Sequence, residues 1–132
     1  MKTNELKCTD LRIGNWIKYE DKLVQVVQVS SLMILCQRDE NQFLVNCAPK
    51  VFQPIELTKK VLFIVGFEKF EKSFRMELNG YRIDYDIDKT LRIYKIHTDC
   101  CFIKDLEIKC EYLHQLQNAL YLLTNEELEV KL

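Results

Sequence analysis

The sequence predicts an α+β protein, and three observations carry that prediction. Before residue 54, short segments rich in Val, Ile, Leu and aromatics recur between polar turn clusters. Further on, an Asn79-Gly80 dipeptide divides two more such runs. Near the end, Leu113, Leu116, Leu120 and Leu123 repeat at helical spacing. The expected architecture is an N-terminal small antiparallel SH3-like β-barrel or curled sheet, then a helix, an antiparallel β-meander and a C-terminal helix packed on it. Residues 1–53 would form the barrel-like subdomain and 54–132 the α+β subdomain. At 132 residues the two share one core.

Each element has its own signal. Asn15–Tyr19, Leu23–Val29, Leu32–Cys36 and Phe43–Cys47 read as strands, opened by a Gly14-Asn15 turn and separated by Glu20-Asp21 and Arg38–Asn41. Leu23 to Val29 does not alternate cleanly, which points to burial on both faces or to a bulge. Pro49 and Pro54 bracket a seam. After it, Thr58 is a suitable N-cap, with Leu57 and Leu62 placed as a hydrophobic staple and Gly66 placed to end a short helix. Asn79-Gly80 fixes the next register: Leu78 with Tyr81, Met76 with Ile83 and Phe74 with Tyr85 on one face, Glu77 with Arg82 and Arg75 with Asp84 on the other. Leu91–Ile96 and a segment between Cys101 and Cys110 add strands. The last helix runs over Glu111–Leu123. Thr124 to Glu127 fits a capping box, and Leu128, Val130 and Leu132 alternate as an edge strand would.

Composition narrows the function classes. Hydrophobic residues at 48% and charged residues at 30% belong to a folded chain. A net charge of -1 with a pI near 6.1 shows no basic excess for a duplex, so nucleic acid ranks behind other partners. The start, Met1 to Glu5, is polar with no apolar stretch behind it, and the longest apolar run, Val61–Phe67, is too short to cross a bilayer. The expectation is a cytoplasmic protein with no membrane partner. In that compartment Cys8, Cys36, Cys47, Cys100, Cys101 and Cys110 would be free thiols acting as small apolar side chains.

Several constellations suggest chemistry. Asp84, Asp86 and Asp88 share one strand face, a spacing that could suit a hard metal, although Arg75 opposite Asp84 makes a solvated face of ion pairs the better reading. His97, Cys100, Cys101, Cys110 and His114 fall within eighteen residues and are ligand types zinc prefers, but no Cys-x-x-Cys knuckle is present. Three serines outside any nucleophile elbow and three glycines in the whole chain leave no support for a triad or a nucleotide cradle. No catalytic residue, metal or cofactor is therefore assigned. The candidate binding residues are His114, Gln117, Asn118 and Tyr121, a neutral, hydrogen-bonding face opposite the leucine stripe. Trp16 and Tyr19 join them as candidate exposed aromatics, and with Lys18 and Lys22 they would form the surface of a nucleic-acid module.

Three blocks together resemble a group of small uncharacterised proteins of bacteriophages, prophages and mobile elements of gut bacteria. They are Asp10-Leu11-Arg12-Ile13-Gly14-Asn15; Pro54 to Thr58 with Gly66-Phe67; and Tyr112 to Asn118 with Leu123 to Leu128. They cover under a third of the chain. The resemblance implies no activity and transfers no catalytic residue. It implies a phage or mobile-element setting, and Cys110 and the Cys100-Cys101 pair lie outside its pattern. Asn125 stands where that pattern more often has Gly. The expectation is a non-enzymatic accessory protein, a homo-oligomer that binds a host protein or a small polar signalling ligand, in one form as an anti-defence sequestering factor.

Overall fold

A computed structural model of the chain describes residues 10–30, 33–46, 52–96, 102–125, 127, 128 and 130. They form two five-stranded antiparallel sheets and two helices, an α+β arrangement. The first sheet holds β1 (Trp16–Tyr19), β2 (Lys22–Val29), β3 (Met33–Arg38), β4 (Asn41–Asn46) and β5 (Phe52–Gln53), in the order β4-β3-β2-β1-β5. Helix α1 (Lys59–Ile64) leads into the second sheet: β6 (Glu68–Phe70), β7 (Ser73–Leu78), β8 (Tyr81–Asp86), β9 (Thr90–Ile96) and β10 (Phe102–Lys109), a simple meander. Helix α2 (Leu113–Thr124) closes the chain.

Turn chemistry sets the registers. Glu20 and Asp21, like Asn79 and Gly80, have left-handed φ angles, as a two-residue hairpin turn requires. The second turn gives the register expected: Leu78 faces Tyr81, Met76 faces Ile83 and Arg75 faces Asp84. In β2 the broken alternation resolves as a bulge, because the register with β3 shifts between Val26 and Gln28. Thr58 caps α1 by accepting from the Val61 amide at 3.3 Å, and Gly66, at φ +111°, ends it.

Two hydrophobic cores result. One fills the first sheet around Ile17, Val24, Val26, Ile34 and Cys36. The other lies between the second sheet and the helices, where Ile83, Leu91 and Ile93 meet Leu113, Leu116 and Leu120, all at 0% exposure. Each such side chain contributes about 1.5–3 kcal/mol by leaving water.

Several expectations need correction. No closed barrel forms among the described residues: β4 and β5 end the sheet without pairing to each other. Within the proline-bracketed seam, a strand that was not anticipated forms, as Phe52 and Gln53 return to pair with Tyr19 and Lys18. The short strand β6 was not anticipated; its three exposed residues, Glu68-Lys69-Phe70, show no apolar period. The last helix begins at Leu113, not Glu111, because residues 55–57 hold the preceding segment extended. The Leu113 amide donates to the Ile55 carbonyl at 2.8 Å, and the Leu57 amide to the Glu111 carbonyl at 3.0 Å. Thr124 ends α2, its hydroxyl donating to the Leu120 carbonyl at 2.7 Å, and Asn125 takes the left-handed conformation (φ 57°) that suits a glycine; Glu126 of the expected capping box lies outside the described residues. Of the proposed tail strand, Leu128 is buried against the second core and no strand is described there; Leu132 lies outside the described residues.

Candidate functional site

The neutral face of α2 meets the chain's own segment Asp10–Trp16. Gln117 is 1% exposed. Its Oε1 accepts from the Trp16 amide at 3.0 Å and its Nε2 donates to the Gly14 carbonyl at 3.0 Å, so one side chain satisfies both sides of an irregular backbone. Asn118 Oδ1 accepts from Asn15 Nδ2 at 2.8 Å and from Arg12 Nε at 3.1 Å, while its Nδ2 donates to the Asp10 carbonyl at 3.4 Å. The Arg12 guanidinium lies 4.2 Å from the centre of the Tyr121 ring and forms a two-pronged ion pair with Glu127. Asn15, 0% exposed, steadies the turn by accepting from the Arg12 amide at 2.7 Å. Gly14 has φ +99°, and a Cβ there would sit 3.2 Å from Glu127 Oε2.

This face therefore turns inward. Gln117 and Asn118 satisfy their amides within the chain and half-buried Tyr121 lies under Arg12, so these side chains form an internal latch. Sequence reasoning missed Arg12, Asn15 and Glu127. All three lie within the blocks that carry the resemblance, and those blocks meet in the fold along α2 and at its two ends. Asp10–Asn15 meets Asn118 and Glu127, and Ile55-Glu56 meets Tyr112-Leu113.

His114 is 4% exposed and stacks on Tyr112 at 6.1 Å and 11°, and its Nδ1 has no hydrogen-bond partner among the described residues. Burial pushes its pKa below the ordinary 6.5, with Asp10 opposing the shift. The folded state thus holds the neutral ring, whereas the unfolded chain takes up a proton near pH 6.5. Stability should be level above that pH and fall as pH drops through 6.5 toward the lower folded pKa, at a slope of at most about 1.4 kcal/mol per pH unit. Urea unfolding at a series of pH values between 7.5 and 5 checks this; the His114→Asn variant should lose the slope.

Of the candidate metal constellation, only Cys110 and His114 lie within the described residues. Cys110 precedes the helix, so it and His114 do not share a helical face. Cys36 and Cys110 are free and buried, with thiol pKa values pushed up by burial to about 11 and about 12, the reverse of a nucleophile or ligand. His97, Cys100 and Cys101 lie outside the described residues. Among the described residues no three His, Cys, Asp or Glu side chains could hold an ion.

Trp16 and Tyr19 each rest one side of the ring on the protein's own cores. Trp16 is half-buried and packs against the second core, and Tyr19 tilts onto Phe43 and Phe52 at 5.6 and 5.8 Å. Lys18 and Lys22 remain on β1 and β2, without a free aromatic platform from those two rings.

What does face outward is one face of the second sheet, with Asp84 at its centre only 8% exposed beneath its arginines. Glu68, Arg75, Asp84, Arg92 and Glu107 stand in register across all five strands, alternating in sign. Arg75 Nε donates to Asp84 at 2.8 Å and Arg92 Nε to Glu107 at 2.9 Å. Arg92 also pairs with Asp86, and Arg82 with Asp84 at 3.5 Å. The Asp84, Asp86 and Asp88 set is thus a row of ion pairs, Asp88 lying 3.8 Å from Lys109. The arginines cover rings: Arg75 sits 3.8 Å from the Phe70 centroid and Arg82 4.6 Å from that of Tyr94.

Compared with protein-family models, curated proteins and solved structures, the chain matches none. Among the described residues no helix is long and apolar enough to cross a membrane.

Proposed function

We propose that the chain is a non-enzymatic accessory protein of a phage or mobile element that acts in the host cytoplasm by occupying the surface of a host protein. The charged sheet of β6 to β10 is its contact face. The observation that carries this reading is the five-strand row Glu68-Arg75-Asp84-Arg92-Glu107. Such a row presents fixed, alternating charge on a rigid frame, which selects a partner of complementary pattern. Its arginines, braced by carboxylates and rings, are the kind of residue that anchors protein interfaces. A polyphosphate chain instead favours uncompensated cations, and Arg75 and Arg92 here are matched by acids. A small polar ligand loses its proposed seat, because the amides of Gln117 and Asn118 are engaged within the chain.

The setting rests on the resemblance of the three sequence blocks. In the first sheet, a four-strand meander with its fifth strand returned to the first supports an SH3-like winding, left open.

Replacing Arg92 and Glu107 together by glutamine removes a matched pair and keeps the net charge. Affinity purification of the tagged chain from host cells should recover one host protein in stoichiometric amount. That recovery should be lost in the Arg92→Gln/Glu107→Gln variant, whose melting temperature stays within a few degrees of the parent's. If no stoichiometric protein is recovered at low salt, or if the variant recovers it equally well, the reading is wrong.

A further inference from the structure

The four sheet edges are not alike. β5 and β6 are two and three residues long, and β10 carries Lys104, Asp105, Glu107 and Lys109 with a register break between Lys104 and Leu106. Short length, charge and bulges are how proteins keep an edge from pairing with another chain. β4 has none of these. Its sequence, Asn41-Gln42-Phe43-Leu44-Val45-Asn46, is six residues without charge, proline or glycine, and its pairing with β3 is unbroken. Leu44 on this edge is 64% exposed.

The register shows which backbone groups of β4 pair with no other strand among the described residues. A two-residue loop at Asp39-Glu40 makes Arg38 and Asn41 the closing pair, so Asn41, Phe43 and Val45 exchange hydrogen bonds with β3. The alternate residues, Gln42, Leu44 and Asn46, turn their N–H and C=O groups away from β3. We infer that β4 is a dimerisation edge, pairing antiparallel with β4 of a second copy of this chain about a two-fold axis at Leu44.

The sequence is self-complementary in that register. Leu44 meets its own copy, Gln42 meets Asn46 of the second copy, and Phe43 meets Val45, so no charge is opposed and no polar residue faces an apolar one. Both sheet faces continue across the axis. On one, Leu35 is the cross-strand neighbour of Leu44, so a row Leu35-Leu44 runs on into Leu44-Leu35 of the second copy. On the other, Val26, Cys36 and Phe43 lie in one row and would be extended by Val45 and Ile34. The pairing buries the exposed Leu44 and completes the open backbone groups at once. A closed two-fold pair also removes the edge, so assembly stops at two.

One pair of six-residue strands buries less than the roughly 1,600 Å² of a standard interface, so a dissociation constant in the micromolar range is expected. Sedimentation of the full chain over a dilution series should show a reversible shift between the 15.8 kDa monomer and a dimer of twice that mass. Leu44→Lys opposes two lysines at the axis and should weaken association at least about tenfold. Circular dichroism should be unchanged, since the side chain is already largely in water. Leu122→Lys, at a site 81% exposed on α2, should leave the dimer intact. A wild-type chain that stays monomeric throughout, a Leu44→Lys chain that dimerises normally, or a Leu122→Lys chain that dissociates would each overturn the assignment.

Discussion

Gln117→Ala is expected to lower stability by about 3 kcal/mol, a fall of roughly 10 °C in melting temperature for a chain of this size. The reasoning starts from what the amide holds. Gln117 is buried at 1% exposure and spans from the Trp16 amide to the Gly14 carbonyl. Gln25 Nε2 also reaches that carbonyl at 3.2 Å, so the Trp16 N–H is the group left without a partner. An unsatisfied buried donor costs about 1–3 kcal/mol, and the vacated side-chain volume adds to it. Gln117→Leu separates the two contributions, because it refills the space without restoring the bond; an intermediate loss of about 2 kcal/mol is expected. Leu122→Ala on the same helix, 81% exposed, should stay within about 0.5 kcal/mol of the parent. Urea denaturation followed by circular dichroism measures all three. A loss below about 1 kcal/mol for Gln117→Ala would return this residue to the pool of free binding groups.

The second sheet was the most legible part of the sequence, for a physical reason. Asn79-Gly80 has few alternatives to a tight hairpin, and once that turn is placed the pairing of Arg75 with Asp84 follows residue by residue. Helix α2 was legible in its leucines for a similar reason: burial against one sheet enforces a stripe. Its other face could not be assigned from the period alone, because a helix can be covered from two sides. Gln and Asn opposite a leucine stripe can bind a partner or an irregular loop of the same chain, and the period is the same in both cases. The loop that takes them, Asp10–Asn15, has no periodicity of its own, so its place could not be read from pattern. β5 and β6 were hidden by brevity, since two or three residues cannot show an alternation. The row of charges from Glu68 to Glu107 needs the register of four strand pairs at once, and only one of those could be read in advance, through its turn.

Trp16→Ala is expected to cost about 3 kcal/mol, the lower end of the range for removing a large aromatic, because the ring is half-buried and not fully enclosed. The size of the effect follows from where the ring goes. Ile17 points into the core of the first sheet, so Trp16, one residue out of phase, must point away from it. There it packs, with Leu23, against the core built by the second sheet and α2. Its backbone amide is also the group that Gln117 holds, so one residue ties the two sheets together by ring and by main chain. Trp16→Phe keeps an aromatic in the gap and should lose about half as much as Trp16→Ala. Had Trp16 been an exposed stacking platform for single-stranded nucleic acid, its removal would leave the melting temperature unchanged and abolish binding. The packing predicts the opposite pair of results: a melting temperature lower by roughly 10 °C, and titration of single-stranded oligonucleotides at low salt that is flat for the parent and the variant alike. As the chain's single tryptophan, Trp16 also reports on the junction directly. Its emission should be blue-shifted in the native protein and move to the red in Gln117→Ala before circular dichroism registers any loss of strand or helix. An unshifted emission maximum in that variant would mean that the ring is held by its own strand and that the latch does not join the two sheets.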